Sequence, residues 1–319
     1  MSAGVPATAA GMALLLAFLS SGCAGYFDAE RAEAASRTRL DQLYESRLGQ
    51  WSVPYEAHYL PTRYGDTHVV ACGPSGAPAI VLLHAMGLNA TQWGSVISEL
   101  AQENRVYAVD TIGDLGRSKL VNRDNYPNSG KLLAEWLREV LDGLGEDKAD
   151  IVGSSMGGWI AAHFAAHAPE RTRRLVLLGP VGVTMPWKVM LRLVGVALLP
   201  TQGNKESLIR WTLGSSPRVQ EELGSHMAIA VDCRPRLAMP RMIEDDTLSS
   251  IQAPTLVILG GQDHPIGNPQ KVGERIRRFV SSCDVVVLPE AGHVMNIEKP
   301  ESIVTLIRKF VDKNPDHCD

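Results

Sequence analysis

The chain carries almost no net charge: 31 Lys and Arg against 35 Asp and Glu leave a formal −4 over 319 residues. Such a balance gives no basis for a nucleic-acid or strongly acidic partner. Cysteine is scarce, with Cys23, Cys72, Cys233, Cys283 and Cys318, and none falls in a C-x-x-C pair. That spacing excludes the usual cysteine-built metal site. Without Cys23 the remaining four can pair in an oxidising compartment or stay as buried thiols. No repeat or low-complexity block is present, and the apolar run at 12–19 is too short to span a bilayer as a mature helix.

That run, Met12 to Leu19, precedes Ser20-Ser21-Gly22-Cys23. It suits the core of a secretion signal over residues 1–22, with Cys23 as the lipid-bearing residue of a bacterial lipoprotein. The absence of Lys or Arg before the run, and Ser20 where leucine is commoner, leave an ordinary signal peptide or buried helix as alternatives. Lipidation would hold an exported enzyme at the membrane of a bacterial cell envelope. Residues 23–54 read as a tether with an amphipathic helix over 28–50, apolar at Leu40, Leu43, Tyr44 and Leu48.

From residue 55 the pattern is α/β. A hairpin is expected around Gly65-Asp66, with strands His58–Arg63 and Thr67–Cys72. The continuous apolar runs Pro78–Leu83, Val106–Val109, Arg174–Gly179 and Pro254–Leu259 suit strands buried on both faces, and Asp284–Leu288 is the last strand. Helices are expected at Thr91–Gln102, Ser129–Gly145 and Pro300–Val311. Strands alternating with helices imply a mostly parallel central sheet covered on both faces. Residues 55–179 and 251–314 form this core. Residues 180–250, rich in Met, Leu and Trp, read as a helical cap over the sheet's C-terminal edge, where ligands bind.

Gly153-Ser154-Ser155-Met156-Gly157 sits between the strand-like Ile151-Val152 and a helix-forming run. A serine at the tip of a strand–turn–helix is exposed to a base, and the helix aims its amide end at it. Ser155 is the candidate nucleophile. His293, in the loop after the last strand, is the candidate base, and Asp263, after Pro254–Leu259, can orient it. The turn His84-Ala85-Met86-Gly87 can aim the Met86 amide at an oxyanion, with the Met156 amide as second donor.

Four motifs in this order make the chain resemble the α/β-hydrolase superfamily from about Tyr55 to Phe310. The strings Arg63–Val69 and Tyr107–Asp114 are similar to bacterial carboxylesterases that cleave bulky aryl-propionate esters. The resemblance implies an α/β-hydrolase fold and a serine hydrolase acting on a small-molecule ester with a hydrophobic group, without cofactor or metal. One departure is Ala85, where the superfamily has glycine; its methyl is expected to shift the oxyanion turn or narrow the pocket floor. Carbon–carbon hydrolases, thioesterases, lactonases and perhydrolases share the same residues, and a non-catalytic surface binding protein is the alternative of another class. Ser154 reads as a packing residue, His84 as a hydrogen-bonder under the oxyanion turn, His264 as a wall residue, and Asp110–Ser118 as a structural loop. His163 and His167, one helical turn apart, lack the intervening Glu and third ligand of a zinc site.

Overall fold

The computed structural model describes residues 33–312, apart from 200, 215, 231 and 232. The expected signal segment, Cys23 and Cys318 lie outside the described residues. A nine-stranded sheet forms the centre. Its strands are β1 (Tyr55–Thr62), β2 (Gly65–Cys72), β3 (Ala79–Leu83), β4 (Arg105–Val109), β5 (Lys119–Leu120), β6 (Ala149–Ser154), β7 (Thr172–Leu178), β8 (Thr255–Gly260) and β9 (Cys283–Leu288). The order is β1-β2-β4-β3-β6-β7-β8-β9, with β5 beside β2. From β4 to β9 all pairs are parallel, and β1, β2 and β5 form an antiparallel margin.

Every residue of β3, β6 and β8 is buried, as expected of strands covered on both faces. The cover comes from α2 (Gly94–Leu100) and α11 (Pro300–Val311) on one side. On the other lie α3 (Gly130–Leu144), α4 (Met156–His167), α8 (Asp245–Ser249) and α9 (Pro269–Phe279). Helix α3 starts where Ser129 accepts from the Leu132 amide and stops at left-handed Gly145, with a side-chain cap at one end and a left-handed glycine at the other. The cap comprises α5 (Trp187–Leu198), α6 (Gln202–Leu213) and α7 (Pro217–Ala230), between β7 and β8; α10 (Met295–Glu298) follows β9.

Residues 33–48 form a helix, α1, that lies on the domain. Leu40, Tyr44 and Leu48 are buried, Arg117 stacks over the Tyr44 ring and pairs with Glu45 at 2.6 Å.

Two expectations are corrected. The hairpin turns at Arg63-Tyr64, because Thr62 pairs with Gly65; Gly65 instead backs β5, where a Cβ would lie 2.0 Å from the Lys119 carbonyl. Thr91–Gln102 divides into a 3₁₀ turn, Ala90–Trp93, and the shorter α2. Among the described residues Cys72 and Cys283 carry free thiols, one of the two alternatives open for the cysteines. Among the described residues no helix is long and apolar enough to cross a membrane.

Candidate active site

Strand β6 ends at Ser154 and α4 begins at Met156, leaving Ser155 alone to reverse the chain. Its backbone sits at φ 53°, ψ −111°, and among the described residues it is the sole non-glycine with positive φ. Such a conformation costs about 1–3 kcal/mol and persists only where the surroundings impose it. Here the Ser155 amide donates to the Leu178 carbonyl of β7 at 2.9 Å. The flanking glycines are sterically required: a Cβ on Gly153 would lie 2.2 Å from the Gly157 carbonyl, and one on Gly157 2.1 Å from the Leu83 carbonyl. Helix α4 thus lies against β3 and β6 with its N-terminus under the serine.

The structure brings the three distant candidates together. His293 Nε2 is 2.7 Å from Ser155 Oγ. Its Nδ1 is 2.9 Å from both carboxylate oxygens of Asp263. Asp263 leaves the end of β8, His293 the loop after β9, and these loops are joined by the Gln262 amide donating to the Ala291 carbonyl at 2.9 Å. All three residues are buried, Ser155 being 7% exposed. Asp263 Oδ1 also accepts from the Ile266 amide at 3.2 Å, which fixes the carboxylate plane. With Nδ1 donating to a carboxylate, Nε2 is left to accept from the serine hydroxyl.

The turn Ala85–Leu88 is closed by the Leu88 amide donating to the Ala85 carbonyl at 3.1 Å. His84 Nδ1 donates to the same carbonyl and its Nε2 accepts from the Thr111 amide, each at 2.9 Å. Ala85 N donates to Gln92 Oε1 at 2.8 Å. Because peptides are trans, a Met86 amide lies opposite an Ala85 carbonyl held this way. Among the described residues the amides of Met86 and Met156 meet no protein acceptor, and both residues line the cavity that contains Ser155. The Ala85 methyl packs with Leu88 and Val294 and lines the same cavity.

Other candidates take structural places. Ser154 is buried and its Oγ accepts from Gln92 Nε2 at 3.2 Å. Asp110 accepts from the amides of Ala90 and Arg117 and faces His68, so its loop is packed from within. His264 is exposed and stacks on Trp211 at an 8° interplanar angle. His167 Nδ1 donates to the His163 carbonyl, and among the described residues no cluster of three potential ligands surrounds the pair. The sequence assigns no supporting role to four further residues, although Asp114 lies in the loop Asp110–Ser118, which reads as structural. Gln92 and Asn296 are joined at 3.1 Å beneath the site. Asp114, whose pKa burial pushes up to about 6, accepts from the Gly87 amide at 3.1 Å through both oxygens. His226 reaches Gly87 from the cap.

The cavity over Ser155 measures about 330 Å³. Its cap side is Val189, Leu208, Ile209, Met227 and Met239, and no Lys, Arg, Asp or Glu lines it among the described residues. An outer groove of about 1640 Å³ shares Thr184, Met185, Pro186 and Trp211 with it, and carries Lys188, Arg192 and Lys271.

Comparison with known proteins agrees with this architecture. Residues 80–306 match the model of the alpha/beta hydrolase family. The chain is 29% identical over 292 residues to carboxylesterase YbfK of Bacillus subtilis, covering 88% of this chain and 96% of that one. The crystal structure of that carboxylesterase, CesB, superposes with a TM-score of 0.79 at 30% identity over 87% of this chain and 98% of the other. The crystal structure of naproxen esterase from Bacillus subtilis gives 0.78 at 28% identity, covering 86% and 97%. A 2-hydroxymuconate semialdehyde hydrolase of Pseudomonas putida is 32% identical over 259 residues, covering 74% of this chain and 87% of that one. The chain belongs to the alpha/beta hydrolase family, as a carboxylesterase-like hydrolase.

Proposed function

We propose that the chain is a serine hydrolase that cleaves carboxylic esters of hydrophobic substrates through an acyl-enzyme on Ser155. The observation that carries this reading is the 2.7 Å approach of Ser155 Oγ to His293 Nε2, with Asp263 behind the imidazole. Ser155 Oγ attacks the ester carbonyl as its proton passes to His293 Nε2. The carbonyl oxygen gains charge and rests on the Met86 and Met156 amides, where one donor is worth about 2.7–4 kcal/mol of transition-state stabilisation. His293 returns the proton to the leaving alcohol. Water, deprotonated by His293, then adds to the acyl carbonyl, and collapse frees the acid and regenerates Ser155.

The apolar cavity supports a hydrophobic group at the reacting end. Resemblance to the semialdehyde hydrolase raises carbon–carbon bond hydrolysis as a second reading. Its substrate carries a carboxylate, and the cavity offers no Lys or Arg among the described residues to pair with one. A panel of p-nitrophenyl esters, thioesters, lactones and carboxylate-bearing ring-fission dienoates, run with wild type and Ser155→Ala, tests the choice. Ester turnover that rises with acyl length and vanishes in the variant is expected. Preference for the dienoates would overturn the ester reading.

We also propose that Cys23 is lipidated and holds the enzyme at a bacterial envelope membrane. The apolar run 12–19 followed by Ser20-Ser21-Gly22-Cys23 supports this. Cys23→Ala is expected to move the protein to the soluble fraction, and unchanged fractionation would remove the proposal.

A further inference from the structure

We propose that His226, on cap helix α7, is a positioning residue that completes the oxyanion turn, so that the cap contributes to transition-state stabilisation as well as to substrate choice. The inference rests on the reading of Ser155 and the Met86 amide given above.

The turn Ala85–Leu88 has few internal restraints: one hydrogen bond closes it, and Gly87 sits at φ 75° with open space around its Cα. Its remaining polar groups are held from outside. The body supplies Gln92 to the Ala85 amide, His84 to the Ala85 carbonyl and Asp114 to the Gly87 amide. Among the described residues the Gly87 carbonyl is held by the cap alone, through His226 Nε2 at 2.7 Å. A carbonyl only accepts, so Nε2 carries the proton. His226 is 1% exposed, and burial pushes its pKa down to about 4, so the ring is neutral at pH 7.

Helix α7 is built to hold that contact still. Val219 and Leu223 pack in one buried cluster with Ala85 and Leu88 of the turn and Val294 beside His293. On its other side Leu40 of α1 packs against Ile229 and Ala230, and the Arg47 side chain donates to the Glu222 carbonyl. Ser95 Oγ, from α2, donates to the Glu222 carboxylate at 3.0 Å. The helix that carries His226 is therefore tied to the body at both ends. Without the imidazole, the half-buried Gly87 carbonyl loses its protein partner, and rotation about Gly87 relieves it at the expense of the amide two peptides back.

Two variants separate hydrogen bonding from packing. His226→Phe keeps a ring and removes the donor, while His226→Gln keeps an amide donor at similar reach. His226→Phe is expected to lower kcat about 10- to 100-fold, the cost of a small misplacement at a reacting centre, with KM within about threefold of wild type. Affinity for a boronic acid that mimics the tetrahedral state should fall by the same factor, and His226→Gln should recover most of both. If His226→Phe does not fold, His226→Asn, whose amide stops short of Gly87, replaces it. Unchanged kcat in the donorless variant, a rise in KM alone, or equal loss in Phe and Gln variants would overturn the proposal. Ser155→Ala is run beside them: wild-type turnover in that variant sinks the Ser155 reading itself, whereas abolished turnover with a normal His226→Phe sinks only the role of His226.

Discussion

Replacing Asp263 by Asn should abolish most turnover while leaving the fold intact, and the structure says why. Both carboxylate oxygens lie 2.9 Å from His293 Nδ1. Oδ1 also accepts from the Ile266 amide, so an asparagine must keep its oxygen there and place its NH2 at the Oδ2 position. That NH2 then points at His293 Nδ1, which can relieve the clash of donors by giving up its proton. The proton moves to Nε2, and the nitrogen facing Ser155 Oγ at 2.7 Å becomes a donor that cannot take the serine proton. The side chain is isosteric and its site is buried, so packing is conserved. The same tautomer error in another serine hydrolase costs about 10⁴ in kcat, which is roughly 5 kcal/mol of activation free energy. Steady-state hydrolysis of a p-nitrophenyl ester, with a thermal melt beside it, reads both quantities. A folded variant within about tenfold of wild-type kcat would refute the assignment of Asp263, because the retained rate would need a correctly oriented base.

Two further outcomes follow from packing and burial. Gly153→Ala places a Cβ 2.2 Å from the Gly157 carbonyl, so β6 and α4 must separate; a stability loss at or above the top of the ~1–3 kcal/mol range for overpacking is expected in denaturant titration, together with loss of turnover. His226 is held neutral in the folded state, with its pKa pushed from 6.5 down to about 4 by burial. The neutral form's contribution is therefore present above pH 6.5 and is lost as pH falls through 6.5 towards 4. His226→Gln should lessen the fall in stability between pH 7 and pH 4 by about 3 kcal/mol. Asp114, pushed up to about 6, acts in the opposite sense at acid pH, but it is common to both proteins and leaves the comparison intact.

The parts of this molecule that were legible in its sequence are those where local chemistry and tertiary environment demand the same residues. Strands β3, β4, β7 and β8 are buried on both faces and read as apolar runs. Helix α3 carries its own caps. Ser155, Asp263 and His293 each follow the end of a strand, so a reading of strands brings them to one edge. Strand β5 was missed because two residues, one of them exposed, have no pattern. Helix α9 was missed because Lys271, Glu274, Arg275, Arg277 and Arg278 outweigh its apolar stripe of Val272 and Ile276. The hairpin turn was misplaced because Gly65, a turn residue by habit, is needed for the close passage of β5. Gln92, Asn296, Asp114 and His226 hold the site through partners far away in the chain: Gln92 and Asn296 are 204 positions apart, and His226 and Gly87 139. No spacing rule of helix or strand reaches across such intervals.

The central claim is that Ser155 is the nucleophile. Incubation of folded full-length protein with a fluorophosphonate, followed by proteolysis and mass spectrometry, tests it without any assumption about the substrate. One phosphonyl adduct per chain is expected, on Ser155 and not on its buried neighbour Ser154, and it should be absent from Ser155→Ala and strongly slowed in Asp263→Asn. Folded protein that takes up no probe, or an adduct on another residue with Ser155 unmodified, would contradict the account and favour a non-catalytic binding role for the fold.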